Sequence, residues 1–492
     1  MATSPSERDF DIVVIGAGPA GLAAATTAAQ AGATVALVDA GSRPGGQYWR
    51  QPTGPGIDPS EVGYLHHDLK SYRHLVAVLE SPPTTYLPEH HVWALVRSEN
   101  EFVVHALDHS GSKPRSREVA GRRLVLATGA YDRQIPFPGW DLPGVMAAGG
   151  VQALLKGQHV KAGQRVVVAG TGPFLLPVAT GLAAAGADVL GVHEANSPRR
   201  WLGEGRAVLG SMSKLGEGVS YASSLVRHRV PVRTRSLVVA AHGEDRLEAV
   251  TTARCDTRGR VVAGTEERVA ADCLAVGWGF TPQLELPLSL GCGTRVDTDG
   301  SLVCVVDDSQ QSTVSGVFVA GESCGIGGAA LALLEGAIAG RSAAGSGQSD
   351  RRPRRQRASL RRFADAMHRA HPVPASWTER LDDETVVCRC EEVTCGTLRR
   401  VVFEDLGAGD ARSAKLIARP GMGWCQGRVC GYATACLMAA WSGTPYSPTS
   451  LARRPVAAPI TLGLLAADAS PRGRSSDSGA PAGPRPGPAV LR

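Results

Sequence analysis

The residues 10–39, FDIVVIGAGPAGLAAATTAAQAGATVALVD, decide the fold of this chain. Their pattern predicts a strand over 10–15, a glycine turn, an alanine-rich helix over 22–30 and a second strand over 34–38. A βαβ unit with a Gly-x-Gly-x-x-Gly turn is typical of dinucleotide-binding folds. The stretch therefore predicts a parallel sheet with helices packed on it.

Four residues of this stretch have separate physical roles in holding a dinucleotide. Gly16 permits the tight turn, Gly18 lets the backbone approach a pyrophosphate, and Gly21 lets the helix lie close to the sheet. The helix N-terminus offers N–H groups and a positive dipole to the phosphates. Asp39 follows about 20 residues beyond the turn, where a carboxylate can accept hydrogen bonds from ribose hydroxyls.

Length and composition indicate a globular chain with several domains. With 492 residues, 43 % of them hydrophobic, it can form two or three cored domains. The net charge is +6, and an arginine-dense run lies over 350–362. No aromatic platform or recognition motif accompanies this run, so we interpret it as a solvated linker or helix face and expect no nucleic-acid partner.

Targeting and redox signals indicate an intracellular protein. The N-terminus lacks a basic region followed by an apolar run, which predicts a cytoplasmic chain without a secretory signal. The uncharged stretch 166–187 could span a bilayer by length, but its glycines and prolines favour a buried βα unit. The 11 cysteines of such a chain favour metal or redox chemistry over disulfides.

A second strand–glycine–helix–strand unit covers 165–194. Gly170 and Gly172 repeat the first two glycines, but Leu175 replaces the third, which predicts looser packing of the helix on the strand. Glu194 stands where a ribose acid would be. The unit is either a second nucleotide site, for NAD(P) or an adenine nucleotide, or a structural layer without a ligand.

A third glycine–acid pair follows a predicted strand late in the chain. Gly321 and Glu322 end this strand, and a glycine-rich segment leads into an alanine-rich helix over 329–339. A carboxylate there can hydrogen-bond hydroxyl groups, so the pair is a second place to receive a polar cofactor chain.

Four cysteines form a Cys-x-Cys and a Cys-x4-Cys motif, separated by residues 391–424. They are Cys388, Cys390, Cys425 and Cys430. Two close pairs on two loops can supply two thiolates to each iron of a [2Fe-2S] cluster, which we favour. A structural zinc or unliganded buried thiols remain alternatives. Cys395 and Cys436 fall outside the pattern and are predicted to be structural, both in helices.

These pieces, in this order, resemble the flavoprotein oxidoreductases with two dinucleotide folds, the superfamily of glutathione reductase and thioredoxin reductase. The resemblance implies an α/β chain in which the first Rossmann-like fold binds FAD and the second, inserted fold binds a pyridine nucleotide. It implies that FAD contacts Gly16, Gly18, Gly21, Asp39, Gly45, Gly46, Val92, Thr128, Gly129, Gly321 and Glu322.

Three residue types depart from the usual pattern of that superfamily. Asp39 stands where Glu is common and Glu322 where Asp is common, which changes the reach of each carboxylate. The loop 45–51 contains no cysteine, which makes dithiol exchange unlikely for this chain. In the superfamily this loop lies near the flavin, so Tyr48, Trp49 and Arg50 are weak catalytic candidates, although ordinary packing explains Tyr48 and Trp49 at least as well.

The cysteine segment resembles the domain of bacterioferritin-associated ferredoxin, in the version fused to amine-oxidising flavoproteins. The whole chain is similar to the α subunits of opine oxidase and of hydroxyproline and proline dehydrogenases, and to the flavoprotein subunit of hydrogen cyanide synthase. The motifs 43–50 and 138–146 carry this closer resemblance.

The resemblance, together with the composition of the linker and the tail, implies six regions along the chain. They are an FAD-binding domain in two parts (9–160 and 281–340), an inserted NAD(P)-like Rossmann domain (161–280), a linker and helix (341–380), a [2Fe-2S] domain (381–445) and a tail (446–492), disordered from about 469.

The resemblance also implies a function. FAD and the cluster would relay electrons from oxidation of a C–N bond of an amino or imino acid to a quinone or another acceptor. A second flavoprotein subunit, of the D-amino-acid-oxidase type, would hold the substrate in a hetero-oligomer and could bring the chain to a membrane surface. Two alternatives remain: a self-contained NAD(P)H-dependent reductase, and a docking or iron-sensing module.

Overall fold

A computed structural model describes residues 10–53, 63–205, 212–346, 351–405, 407–449, 452, 454 and 456–469. The start of the chain, to residue 9, and the predicted disordered tail from residue 470 onward lie outside these residues. The described chain divides into two compact units, residues 10–459 and residues 460–469. The second unit contains one helix, Leu462–Ala469.

The strands in chain order are β1 (Phe10–Ile15), β2 (Val35–Val38), β3 (Thr84–Leu87), β4 (His90–Arg97), β5 (Phe102–Asp108), β6 (Arg115–Leu126), β7 (Ala130–Asp132), β8 (Val145–Ala147), β9 (Arg165–Gly170), β10 (Asp188–Glu194), β11 (Val232–Thr234), β12 (Ser236–His242), β13 (Ala249–Arg254), β14 (Glu267–Ala270), β15 (Cys273–Gly277), β16 (Phe280–Pro282), β17 (Thr294–Val296), β18 (Leu302–Cys304), β19 (Val317–Val319), β20 (Val386–Cys388) and β21 (Val393–Thr394).

The α-helices are α1 (Pro19–Gln30), α2 (Leu69–Leu79), α3 (Ala148–Gln158), α4 (Leu175–Ala184), α5 (Met212–Arg227), α6 (Glu285–Ser289), α7 (Ala329–Ala343), α8 (Arg351–Ala370), α9 (Cys395–Arg400), α10 (Ala411–Ala418), α11 (Gly431–Ser442) and α12 (Leu462–Ala469).

The first sheet has β1 near its centre, in the order β3-β2-β1-β6-β5-β4, and β19 pairs with β6. β1 runs parallel to both β2 and β6, as a Rossmann unit requires, and all four residues of β2 are buried. α1 begins at Pro19, earlier than predicted, because proline suits the first helical turn. Since β19 returns to this sheet late in the chain, the second fold is inserted into the first.

The second sheet has the order β11-β10-β9-β15-β8, and all its pairings are parallel. The predicted βα unit over 166–187 therefore forms β9 and α4, and no helix in the described ranges is long and apolar enough to cross a membrane. The edge strand β8 precedes residue 161, so the second sheet draws on chain that we assigned to the first domain.

The predicted loose packing at Leu175 is wrong. Leu175 is only 1 % exposed, and it lies against Gly277 at the end of β15. A Cβ on Gly277 would approach Leu175 Cδ2 to 2.9 Å. The glycine that is missing from the turn is thus offset by a glycine on the neighbouring strand.

The arginine-dense run forms the first half of α8, and two of its side chains turn inward. Arg361 Nη2 lies 2.6 Å and Arg357 Nε 3.4 Å from Oε1 of Glu335, which is fully buried on α7. The interpretation as a solvated linker or face is therefore wrong for these two residues. They neutralise a buried carboxylate and fix α8 on the first fold.

Candidate dinucleotide and cysteine sites

A cavity of about 380 Å³ opens at the carboxyl ends of β1 and β2, the edge where parallel sheets bind ligands. Four of the predicted cofactor residues line it: Gly16, Asp39, Val92 and Thr128. Its remaining wall includes residues that the sequence analysis did not assign to this site, namely His90, His91, Tyr131, Gln283, Glu285, Trp424, Cys425 and Arg428.

The glycines of the first turn are required by close backbone approach. A Cβ on Gly21 would lie 1.7 Å from the carbonyl oxygen of Gly16, and Gly16 itself has φ +100°. Gly46 meets the turn from the other side, since its Cβ would lie 2.8 Å from Gly18 Cα. Gly45 donates its N–H to the carbonyl of Ala17 at 2.8 Å. The two glycine segments predicted from the sequence therefore meet at one place.

Asp39 holds the turn with both carboxylate oxygens. Oδ1 accepts the Ala17 N–H at 2.8 Å and Oδ2 accepts the Gly41 N–H at 2.9 Å. Burial raises the pKa of this carboxyl, although these two hydrogen bonds oppose the shift. Each carboxylate oxygen can accept a second hydrogen bond, so Asp39 remains able to receive a hydroxyl from the cavity.

The late glycine–acid pair opens a short 3-10 helix, Gly321–Cys324, which precedes α7. Glu322 accepts the N–H groups of Gly327 and Gly328 at 2.9 and 3.0 Å, and burial raises its pKa to about 7. Gly321 has φ +77° and donates its N–H to Glu335 Oε2. Both oxygens of Glu322 thus hold the loop before α7, and its contact with a cofactor stays a prediction.

The remaining predicted cofactor and catalytic residues occupy different environments. Gly129 has φ +78° with open space around it, and Thr128 donates its hydroxyl hydrogen to the Gln283 carbonyl. Trp49 is fully buried, and its indole N–H bonds the His67 carbonyl, which is the pattern of a core residue.

Tyr48 and Arg50 lie at the same loop. The Tyr48 carbonyl accepts a hydrogen bond from Lys156, and the Arg50 guanidinium donates to Gln47 Oε1. Burial lowers the pKa of Lys156 to about 8.

The second predicted nucleotide site is closed by the chain's own groups. Glu194 accepts hydrogen bonds from the Thr171 hydroxyl at 3.0 Å, the Gly172 N–H at 2.8 Å and the Asn196 N–H at 2.9 Å. His371 Nδ1, from the segment after α8, lies 3.4 Å from Glu194 Oε2. Burial would raise the pKa of Glu194, but these donors outweigh it and lower the pKa. The predicted ribose acid is thus used inside the protein.

Gly170, the first glycine of that predicted site, is also used in packing within the protein. A Cβ there would lie 1.8 Å from the Gly277 carbonyl oxygen, so this glycine serves the packing of β9 on β15. Gly172 has φ +97° with no other atom near its missing Cβ. The geometry therefore favours the structural layer over a second bound nucleotide.

The four predicted cysteines line one cavity of about 370 Å³, together with Trp140, Phe137 and Arg389. The two loops that carry them are joined by the N–H of Gly421, which lies 3.5 Å from Cys388 Sγ. Gly423 allows this approach, since a Cβ there would lie 2.3 Å from that of Cys390. The guanidinium of Arg389 covers the ring of Trp140 at 4.2 Å, which connects the motif 138–146 to the Cys-x-Cys loop.

The thiols interact in two pairs across the loops. Cys430 hydrogen-bonds Cys388, which lowers the pKa of Cys388 to about 6, and Cys390 hydrogen-bonds Cys425. Within the described ranges, no group of three or more His, Cys, Asp or Glu side chains is arranged as a metal-ion site. The donor set suits a cluster with four thiolate ligands, which would require the thiols to turn from these pairs into the shared cavity.

Cys395 and Cys436 both lie in helices, as predicted. Cys395 is fully buried and opens α9, and Cys436 lies in α11 against the core.

The two cavities share a wall, which the sequence did not reveal. Tyr131 and Cys425 line both. Arg428 Nε lies 2.8 Å from the Tyr131 hydroxyl and 3.0 Å from Glu285 Oε1, and Arg454 Nη1 lies 2.9 Å from the same Glu285 oxygen. In the sequence, only Arg428 could have indicated this contact. It lies between Cys425 and Cys430, and a charged side chain there needs a partner.

Comparison with known proteins agrees with this geometry. Residues 10–337 match the family model described as pyridine nucleotide-disulphide oxidoreductase. The chain is 33% identical over 438 residues to the HcnB component of hydrogen cyanide synthase from Pseudomonas protegens, covering 85% of this chain and 90% of that protein. It is 33% identical over 470 residues to the A component of opine oxidase from Rhizobium meliloti, covering 93% of this chain and 98% of that protein.

Among solved structures, L-proline dehydrogenase from P. horikoshii has a similar fold. The TM-score is 0.65 at 20% identity, and the match covers 93% of this chain and 79% of that one. With 93% of this chain covered, the similarity in fold is not confined to residues 10–337.

Proposed function

This chain belongs to the pyridine nucleotide-disulphide oxidoreductase family as an FAD-dependent oxidoreductase, and we propose that it is the electron-relay subunit of an enzyme oxidising a C–N bond. Its substrate would be an amino acid, imino acid or related amine. Support comes from the similarity, over 93% of the chain, to a protein described as a component of opine oxidase.

FAD would occupy the first cavity. Gly16, Gly18 and Gly21 would receive the pyrophosphate at the N-terminus of α1, and Asp39 would accept the ribose hydroxyls. The second glycine segment, Gly45 and Gly46, meets this turn and would lie beside the same group. FAD supplies both two-electron and one-electron chemistry when bound.

A [2Fe-2S] cluster would be held by Cys388, Cys390, Cys425 and Cys430. Four thiols around one cavity, with glycines at 421, 423 and 427 in the second loop, form a donor set suited to two irons. A cluster of this kind carries one electron at a time, which would turn the two electrons released at the substrate into single steps.

The observation that carries the proposal is the shared wall of the two cavities. Tyr131 and Cys425 line both, so the dinucleotide cavity and the cysteine cavity are neighbours in the fold. Oxidation of the C–N bond to an imine releases two electrons and two protons. The partner, a second flavoprotein subunit, would hold the substrate, and a quinone or another acceptor would take the electrons.

The proposal is tested by purification of the chain alone and with a candidate partner protein expressed from a neighbouring gene. We expect FAD together with two irons and two sulfides per chain, and reduction by an amine or imino acid only when the partner is present. Flavin without iron, or zinc in place of iron, would contradict the relay. Substrate oxidation by the chain alone would contradict the assignment of the substrate to the partner.

A further inference from the structure

The loop that carries the second cysteine pair also exposes an unusual tryptophan. Of the eight tryptophans, Trp424 alone is mostly solvent-exposed, at 82 %, whereas Trp49, Trp93, Trp140, Trp278 and Trp377 are each at most 7 % exposed. A large aromatic ring left in water gains no burial energy from the fold itself. Its position calls for a ligand or partner that covers it.

The covering group is indicated by the cavity that Trp424 lines. This is the 380 Å³ cavity at the carboxyl ends of β1 and β2, with Gly16, Asp39, Ala40 and Val92 on the wall formed by the first fold. Asp39 stands at the ribose position, so this part of the cavity suits the adenosine half of a dinucleotide. Trp424 faces it from the cysteine loop.

The loop is fixed in this position by buried ion pairs. Glu285, 8 % exposed, binds both Arg428 and Arg454, and Arg454 Nε donates to the Gln426 carbonyl at 2.8 Å. The residues on either side of Gln426 are therefore held against the first fold before any cofactor binds. A loop fixed in advance loses little backbone entropy when a cofactor binds to it.

We propose that Trp424 is a cofactor-binding residue whose indole ring stacks on the adenine of the bound FAD. The cysteine domain would then complete the dinucleotide site that the first fold leaves open. This inference rests on the proposed placement of FAD in the first cavity and does not require the cluster. An aromatic side chain can stack on the face of any base, and tryptophan offers the largest surface for this stacking.

The test compares the full-length, flavin-depleted chain with its variants Trp424→Ala and Trp424→Phe by isothermal titration with FAD, ADP and FMN. Loss of one stacked base predicts that Trp424→Ala binds FAD and ADP on the order of tenfold more weakly. Trp424→Phe should bind within about threefold of the parent chain. FMN lacks the adenine, so its affinity should not change.

The matched control is Phe403→Ala, which removes another exposed ring of the cysteine domain, 63 % exposed and in contact with Trp441 rather than the cavity. It should leave the FAD affinity unchanged. Unchanged FAD affinity of Trp424→Ala, or equal weakening by Phe403→Ala, would overturn the inference.

A second measurement does not depend on the folding of a variant. Iodide quenches exposed tryptophan, so quenching in the parent chain reports mainly on Trp424, and ADP should protect it. ADP that binds without protection would overturn the stacking. If neither FAD nor ADP binds the parent chain, the proposed cofactor site itself fails.

Discussion

At the scale of single residues, the first site is built on backbone approaches that only glycine allows. Gly21 lets α1 pass over the turn at Gly16, and Gly46 passes equally close to Gly18. These approaches keep side chains away from the N-terminus of α1, where backbone N–H groups can receive a phosphate. The turn is therefore sensitive to a single methyl group.

Gly21→Ala is expected to destabilise the protein by more than about 4 kcal/mol and to abolish flavin binding, because the new Cβ would lie 1.7 Å from a backbone oxygen. Thermal unfolding and the flavin content of the purified chain measure both effects. Gly203→Ala is the matched control, since nothing lies within 4 Å of its missing Cβ. A stable, yellow Gly21→Ala protein would contradict the tight turn.

At the scale of secondary-structure elements, α8 ties the late part of the chain to the first fold. Its charge pattern alone suggested a solvent-exposed face, yet Arg357 and Arg361 reach the fully buried Glu335 on α7. α7 itself packs on α1 through glycines, where a Cβ on Gly336 would lie 2.0 Å from the Ala20 carbonyl oxygen. The ion pair is thus next to the dinucleotide turn.

Arg361→Met should lower the free energy of unfolding by about 3 kcal/mol, because it removes the nearer partner of a buried carboxylate while Arg357 remains. Chemical denaturation measures the loss. Arg355→Met, on the exposed side of the same helix, should have an effect within about 0.5 kcal/mol of zero. Equal effects of the two substitutions would show that Glu335 does not depend on Arg361.

The segment after α8, which contains His371 and Pro372, contacts the second Rossmann-like fold at its predicted nucleotide site. Asn196 donates to the Pro372 carbonyl at 2.9 Å, Trp201 donates to His371 Nε2 at 3.0 Å, and His371 faces Glu194. The position of the second ribose is therefore filled by protein.

We expect NADH and NADPH to leave the absorbance of the bound flavin unchanged under anaerobic conditions, because Glu194 already accepts three hydrogen bonds and faces His371. His371→Ala removes one of the groups at this carboxylate and should increase nucleotide binding, measured by titration calorimetry on the FAD-loaded chain. Rapid bleaching of the parent flavin by either nucleotide would contradict the closed site.

At the scale of the whole molecule, two sites that are far apart in sequence become neighbours. Tyr131 follows the first sheet, whereas Cys425 and Arg428 lie in the cysteine loops, and the Glu285 ion pairs join them. Cofactor and cluster loading should therefore influence each other, since Cys425 belongs to both cavities.

Cys425→Ser is expected to lose iron and also to weaken FAD binding severalfold, because the Cys425 side chain lines the dinucleotide cavity as well as the cysteine cavity. Iron, sulfide and flavin assays on the same preparation test this coupling. Cys436→Ser, in α11 and outside the four-cysteine cavity, should retain both. Full iron content in Cys425→Ser would remove this cysteine from the ligand set.

The sequence by itself determined the first Rossmann unit, the second strand–glycine–helix–strand unit and the two cysteine motifs, whose four cysteines line one cavity. Those features depend on local pattern: periodicity, glycine spacing and short motifs such as 10–39 act over a few turns of chain. The tertiary structure alone decided that Glu194 is used internally, that Arg357 and Arg361 pair with the buried Glu335, and that Trp424 faces the dinucleotide cavity. Each of these is a contact between segments distant in sequence, and no local pattern specifies which group will satisfy a buried charge or cover an exposed ring.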